Sequence, residues 1–197
     1  MTVNRSMVTG AAIAGGQGRR MGDRDKGLVE YRGLLLVSHA VAALSQVAET
    51  VVINANRNLE AYGRLGCRVV ADETNDFQGP LAGILAAMKV AKTPYLVTLP
   101  CDVPLVDGAM LTRLLETMTE QSAEICVAHD GKRLHPLVMA VECRLASSVQ
   151  AFLASGERKV QAWFGLHRWV AVDFTDCPER FANVNTLDDL AALDRIR

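Results

Sequence analysis

Apolar residues fall along this chain in two alternating rhythms. Short, nearly unbroken runs at Val8–Ala14, Thr50–Ala55, Cys67–Ala71, Tyr95–Leu99 and Glu124–Ala128 predict strands with little exposed surface. Between them the spacing changes to the helical period. Val37, Val41, Leu44 and Val47 share one helical face, as do Met110, Leu111, Leu114, Leu115 and Met118, and again Leu145, Val149, Phe152 and Leu153. Leu81–Ala91 has the composition of a helix with Pro80 in its first turn. A shorter helix covers Leu59–Leu65 and stops at Gly66. Trp169–Phe174 alternates like a strand, and Thr186 with Asp189 reads as a capping box opening a last helix through Leu187, Leu190 and Leu193. Gly33 marks a turn between Leu28–Tyr31 and Leu34–Leu36, Asp72–Gly79 and Gly156–Lys159 are polar and aperiodic, and Asp130-Gly131 is a tight-turn signal. Beyond that turn, Pro136–Val141 predicts an antiparallel excursion.

Alternating strands and helices predict an α/β fold with a mainly parallel sheet, in a single domain over residues 1–197. Ligands of such sheets bind beyond the carboxyl ends of the strands. That rule directs attention to Gly15–Lys26, Asn54–Asn56, Asp72, Asp102 and Asn183–Asn185.

Composition changes this picture little. Hydrophobic residues at 50% and charged residues at 22% suit an ordinary globular chain, and a net charge of −1 supplies no field for nucleic acid or an anionic membrane. No apolar run approaches the ~18 residues of a spanning helix, and Met1–Ser6 followed by Val8–Ala14 lacks the form of a signal peptide, so the expected location is cytoplasmic. The five cysteines (67, 101, 126, 143 and 177) are odd in number and widely spaced, which argues against a disulfide framework or a zinc site.

The densest chemistry lies after the first strand, in Gly15-Gly16-Gln17-Gly18-Arg19-Arg20-Met21-Gly22-Asp23-Arg24-Asp25-Lys26-Gly27. Glycines let backbone N–H groups approach phosphate oxygens, and arginine and lysine supply charge. Met21 stands where a dinucleotide fingerprint needs its third glycine, and Asp23 follows Gly22 where a Walker A loop needs lysine. Protein-kinase organisation is excluded, since H-R-D and D-F-G are absent. On these grounds alone, a glycine turn with merely solvated arginines stays open.

The same stretch, from Ala14 to Gly22 and then Asp25-Lys26-Gly27, resembles the opening motif of nucleotidyltransferases that activate sugars and cofactors. Val52-Ile53-Asn54-Ala55-Asn56-Arg57, Gly79-Pro80-Leu81-Ala82-Gly83, Pro100-Cys101-Asp102-Val103-Pro104, His129-Asp130-Gly131, His135-Pro136, Gly156–Val160 and Asn183-Val184-Asn185-Thr186 narrow the resemblance to the molybdenum cofactor guanylyltransferase family. Ile13 replaces the commoner leucine. The resemblance spans nearly the whole chain and implies a Rossmann-like three-layer α/β/α nucleotidyltransferase fold.

It further implies transfer of GMP from GTP to the terminal phosphate of molybdenum-molybdopterin, with release of pyrophosphate. Ile13, Ala14, Gly15 and Gly16 would meet the nucleotide, and Arg20 and Lys26 its phosphates. Asn54 and Asp72 would meet the nucleoside, and Gly79 and Gly83 would border the base. Asp102 would bind Mg2+; a single carboxylate held between two prolines suits a hard cation that completes its shell with phosphate and water. Catalysis would rest on Arg20, Lys26 and Asp102. His129, His135, Arg158, Asn183 and Asn185 would face molybdopterin or close the site. Expected partners are the two substrates, with transient contacts to other molybdenum cofactor biosynthesis proteins and to recipient molybdoenzymes or their chaperones. A related CTP- or sugar-phosphate transferase and a non-catalytic nucleotide-binding homologue are the alternatives, the second opposed by the presence of Arg20, Lys26 and Asp102.

Overall fold

Six consecutive buried residues, Val8–Ile13, form β1. A strand apolar on both faces belongs in the middle of a sheet covered on two sides. In chain order the other elements are β2 (Glu30–Tyr31), β3 (Leu34–Leu35), α1 (Leu36–Val47), β4 (Thr50–Asn54), α2 (Leu59–Gly63), β5 (Arg68–Val70), α3 (Pro80–Val90) and β6 (Tyr95–Pro100). They continue with α4 (Gly108–Glu120), β7 (Ile125–His129), β8 (Leu134–Glu142), α5 (Ala146–Ala154), α6 (Val160–Phe164), β9 (Trp169–Asp173) and α7 (Leu187–Leu193). The computed structural model describes residues 3–15, 25–73 and 79–194.

The main sheet runs β5-β4-β1-β6-β8-β7-β9. Its neighbours pair in parallel except at β8, which runs antiparallel to both β6 and β7. The expected excursion is therefore the nine-residue strand β8, inserted in the middle of the sheet. Because β8 is reversed, its amino end lies at the same edge as the carboxyl ends of β1, β4, β5, β6, β7 and β9. One edge thus collects the ends of all seven strands of this sheet.

Alternation along β1 sorts the core into two layers. Val8 and Ala12 pack with α1 and α4, whereas Ala11 and Ile13 pack with α3, α5 and α6. Each fully buried Leu or Ile, such as Leu44 of α1 or Ile84 of α3, contributes about 1.5–3 kcal/mol relative to exposure. The sheet edge therefore rests on a rigid support.

The helix signals hold in detail. Pro80 is the first residue of α3, after Gly79 at φ +77°. Thr186 and Asp189 form the reciprocal capping box of α7. Trp163 is buried, with its indole N–H donating to Ser148 Oγ, so it packs as expected of a core residue. The short helix α6 that carries it lies in a stretch whose sequence gave no periodic signal. Among the described residues no helix is long and apolar enough to cross a membrane.

Candidate active site

Three distant segments meet at the carboxyl ends of β1 and β6. Lys26 stands in a one-turn 3-10 helix, Lys26–Leu28. Its Nζ donates to Asp102 Oδ2 and to Asn185 Oδ1, each at 2.9 Å. Asp102 stands two residues past the end of β6. The Cys101 amide before it donates to the Ile13 carbonyl (3.1 Å), and the Asp102 carbonyl accepts from the Val184 amide (2.8 Å). Asn185 is fixed from the other side, its amide donating to Asp189 Oδ2 at 2.7 Å in the start of α7. Lys26 and Asp102 keep 22% and 23% of their side-chain surface exposed, so the pair is anchored and still open to a ligand. An ammonium has three donors; among the described residues two are engaged. Neighbouring Cys101 is buried, and burial pushes its thiol up to about 12, so it stays an uncharged packing residue at neutral pH.

A second group occupies the ends of β4 and β5. Asn54 is only 1% exposed, and its Nδ2 donates to Asp72 Oδ1 (2.9 Å) and the Val70 carbonyl (3.3 Å). Asn56 donates to Asp72 Oδ2 (2.8 Å) and accepts the Asp72 amide (2.8 Å). Both carboxylate oxygens of Asp72 are thus held by asparagine amides. Gly15 and Gly83 give this group its space. A Cβ on Gly15 would lie 3.0 Å from Asn54 Oδ1, and one on Gly83 only 2.1 Å from the same atom. The Ala14 amide donates to the Asn54 carbonyl (2.8 Å), tying this group to β1.

A third group lies where β7 ends and β8 begins. His135 is 8% exposed; its Nε2 meets Asp130 Oδ2 at 2.9 Å, and its ring stacks on Phe181 at 4.3 Å between centroids. Burial disfavours a charged imidazole there, and Asp130 favours one. Burial also raises the Asp130 carboxyl, but the Arg133 and Lys132 amides and His135 outweigh it and hold Asp130 well below the ordinary carboxylate range. His129 Nδ1 accepts from the Gly131 amide at 3.1 Å. Phe181 leads into Ala182–Asn185, so this group connects through Val184 to Asp102.

The residues expected at the site thus fall into sets. Lys26, Asp102 and Asn185 are in direct contact; Gly15, Asn54, Asp72 and Gly83 form a second cluster, with Ile13 and Ala14 as its β1 backbone. His129 and His135 share the same edge. Asn183 adjoins Val184, and its Oδ1 is buried with no partner among the described residues. Arg158 directs Nη1 to the Leu153 and Glu157 carbonyls, both at 2.7 Å, closing the end of α5, while its own carbonyl lies 3.8 Å from where a Gly79 Cβ would be. Gly16 and Arg20 lie outside the described residues. Asp25, Asn56, Asp130 and Asp189 support these groups, and Tyr62 stands behind Lys26. Asn56 was legible as a polar residue at a strand end and Asp130 as part of a tight-turn signal; nothing local distinguishes Tyr62 from an apolar helix residue.

Comparison with known proteins identifies the family and the fold. Residues 10–171 match the family described as MobA-like NTP transferase domain. The molybdenum cofactor guanylyltransferase of Shewanella halifaxensis is 41% identical over 181 residues, which cover 92% of this chain and 90% of that protein. The protein of the same name from Shewanella piezotolerans is 42% identical over 174 residues, 88% of this chain and 85% of its own. The molybdopterin-guanine dinucleotide biosynthesis protein A of Archaeoglobus fulgidus shares the fold with a TM-score of 0.79 at 22% identity, over 95% of this chain and 97% of that one.

Proposed function

The chain belongs to the MobA-like NTP transferase family, and from that premise we propose that it transfers GMP from GTP to the terminal phosphate of molybdenum-molybdopterin. The observation that carries this reading is the junction of Lys26, Asp102 and Asn185 at the sheet edge, which engages two of the three lysine donors among the described residues. The relatives' shared name, at 41–42% identity over most of both chains, supports the choice of substrates.

In this reading an oxygen of the molybdopterin phosphate attacks the α-phosphorus of GTP. The bond to the β-phosphate oxygen breaks, and pyrophosphate departs. The attacking phosphate, with a second pKa of about 6, is already largely ionised at neutral pH. No general base is needed, and the chain's task is alignment and charge neutralisation. Lys26 presents its ammonium to the triphosphate while Asn185 keeps it in place. Asp72, held rigid by Asn54 and Asn56, offers fixed acceptors to the nucleoside. Arg20 adds positive charge to the phosphates.

The donor set at Asp102 fits Mg2+. Among the described residues no three His, Cys, Asp or Glu side chains gather into a metal cluster. Mg2+ commonly uses one or two carboxylates, with phosphate oxygens and water completing its octahedron. When bound, it would neutralise charge on the triphosphate. Asp102 would then hold the metal, and Lys26 the phosphates.

The deciding experiment incubates the protein with Mg2+, molybdenum-molybdopterin and each of the four NTPs, and measures pyrophosphate and the dinucleotide product. Product with GTP is expected. Product with CTP alone would overturn the reading in favour of a cytidylyl transferase, and binding without pyrophosphate release would point to a non-catalytic protein.

A further inference from the structure

Lys26 Nζ can face Asp102 and Asn185 only if the turn beneath it is held. That turn is capped by Asp25, whose Oδ1 accepts from the Gly27 amide at 3.2 Å. Two residues around α2 fix the same carboxylate. Tyr62 donates its hydroxyl to Asp25 Oδ1 at 2.5 Å, and Asn58 donates Nδ2 to Oδ2 at 3.0 Å. The Tyr62 ring is fully buried in the core layer that also holds the inner faces of α1 and α4. A buried hydroxyl needs a partner, and Asp25 supplies it. Gly27 completes the fit. A Cβ there would lie 2.4 Å from Tyr62 Oη, so the hydroxyl occupies the space a side chain would fill.

We infer that Tyr62 and Asn58 are positioning residues for Lys26, holding Asp25 so that Asp25 sets the turn on which the lysine stands. The inference rests on the role given to Lys26 above. It extends that role to two residues that touch neither the lysine's ammonium nor its partners. Burial, followed by the bond to Asp25, pushes the Tyr62 phenol far above its ordinary value, so it stays a hydrogen-bond donor throughout the working pH range.

The test uses the full chain with Tyr62→Phe, which keeps the ring, and Asn58→Gly, which keeps the left-handed backbone at φ 52°. Amide hydrogen exchange of Gly27–Val29 should quicken about tenfold in either variant, as expected for a local opening, while β1 and β6 keep their protection. Tyr62→Phe should lower kcat/KM about tenfold, the scale of a misplaced aligning group. Added to Lys26→Ala, it should cost nothing further. Gly27→Ala should also impair turnover, and removing the Tyr62 hydroxyl should partly rescue it. Unchanged exchange at Gly27–Val29 in both variants overturns the inference, as does an additional loss from Tyr62→Phe in the Lys26→Ala background. If Lys26→Ala remains fully active while exchange rises, the clamp stands and the functional assignment of Lys26 fails.

Discussion

Gly83→Ala gives a sharp test of the Asn54–Asp72 cluster. Position 83 lies inside α3, where glycine costs about 1 kcal/mol relative to alanine, so helix propensity alone predicts stabilisation. Packing predicts the opposite. The new Cβ would lie 2.1 Å from Asn54 Oδ1 and 2.7 Å from its Cγ, at a side chain that is 1% exposed and has nowhere to retreat. Overpacking costs about 1–3 kcal/mol, and displacing Asn54 from the charged Asp72 costs about 1.5–3 kcal/mol more. Set against the propensity gain, the net loss is about 1.5–5 kcal/mol, equivalent to a fall in Tm of about 3–20 °C for a chain of this size. Urea and thermal denaturation measure it directly. Asn54→Ala should be destabilising alone, but combined with Gly83→Ala the loss should be much smaller than the sum, because the clash partner is gone. A Gly83→Ala protein as stable as the parent, or additive behaviour in the pair, would refute the argument.

Further outcomes follow from the other groups. Asp102→Ala should lower kcat by about 10²–10³-fold with the fold intact, since it removes an aligned electrostatic group; near-normal turnover at saturating Mg2+ would remove Asp102 from the site. Asn185→Ala should raise KM for GTP and lower kcat/KM about tenfold by freeing one anchor of Lys26, and unchanged steady-state kinetics would count against that role. Asp130→Asn should destabilise the protein by about 1–3 kcal/mol at neutral pH through its bonds to His135 and the Lys132 and Arg133 amides. The depressed carboxyl makes this contribution complete above the unfolded value of 3.8, with loss as pH falls through the lower folded value. The gap between parent and Asp130→Asn in urea midpoints should therefore be full at about pH 5 and shrink below about pH 4; a gap constant across that range would refute the shift.

Much of the architecture was legible in the residues because its causes are local. Buried runs and the 3.6 spacing reflect which side of each element meets the core, and Pro80 and the Thr186–Asp189 box end or begin helices through their own backbone chemistry. The strand-end rule then placed Asn54, Asp72 and Asp102 at one edge before any contact was known. The helix α6 escaped because five residues carry too little periodicity, and the hydrogen bond that ties Arg158, expected to face molybdopterin or close the site, to the end of α5 had no signal in the sequence.

Which strand-end residues touch was decided by tertiary structure alone. Lys26 and Asn185 lie 159 positions apart, and only the parallel crossovers and the return of the chain past Asp102 bring them together. The reversed strand β8 places His135 at the common edge, an outcome that depends on insertion between β6 and β7 rather than on any pattern within it. Tyr62 is the extreme case. Its ring follows the apolar rhythm, but its hydroxyl meets Asp25 because the core fixes the ring beneath Gly27. Periodicity tells a residue which way to face, and packing in three dimensions determines what it meets.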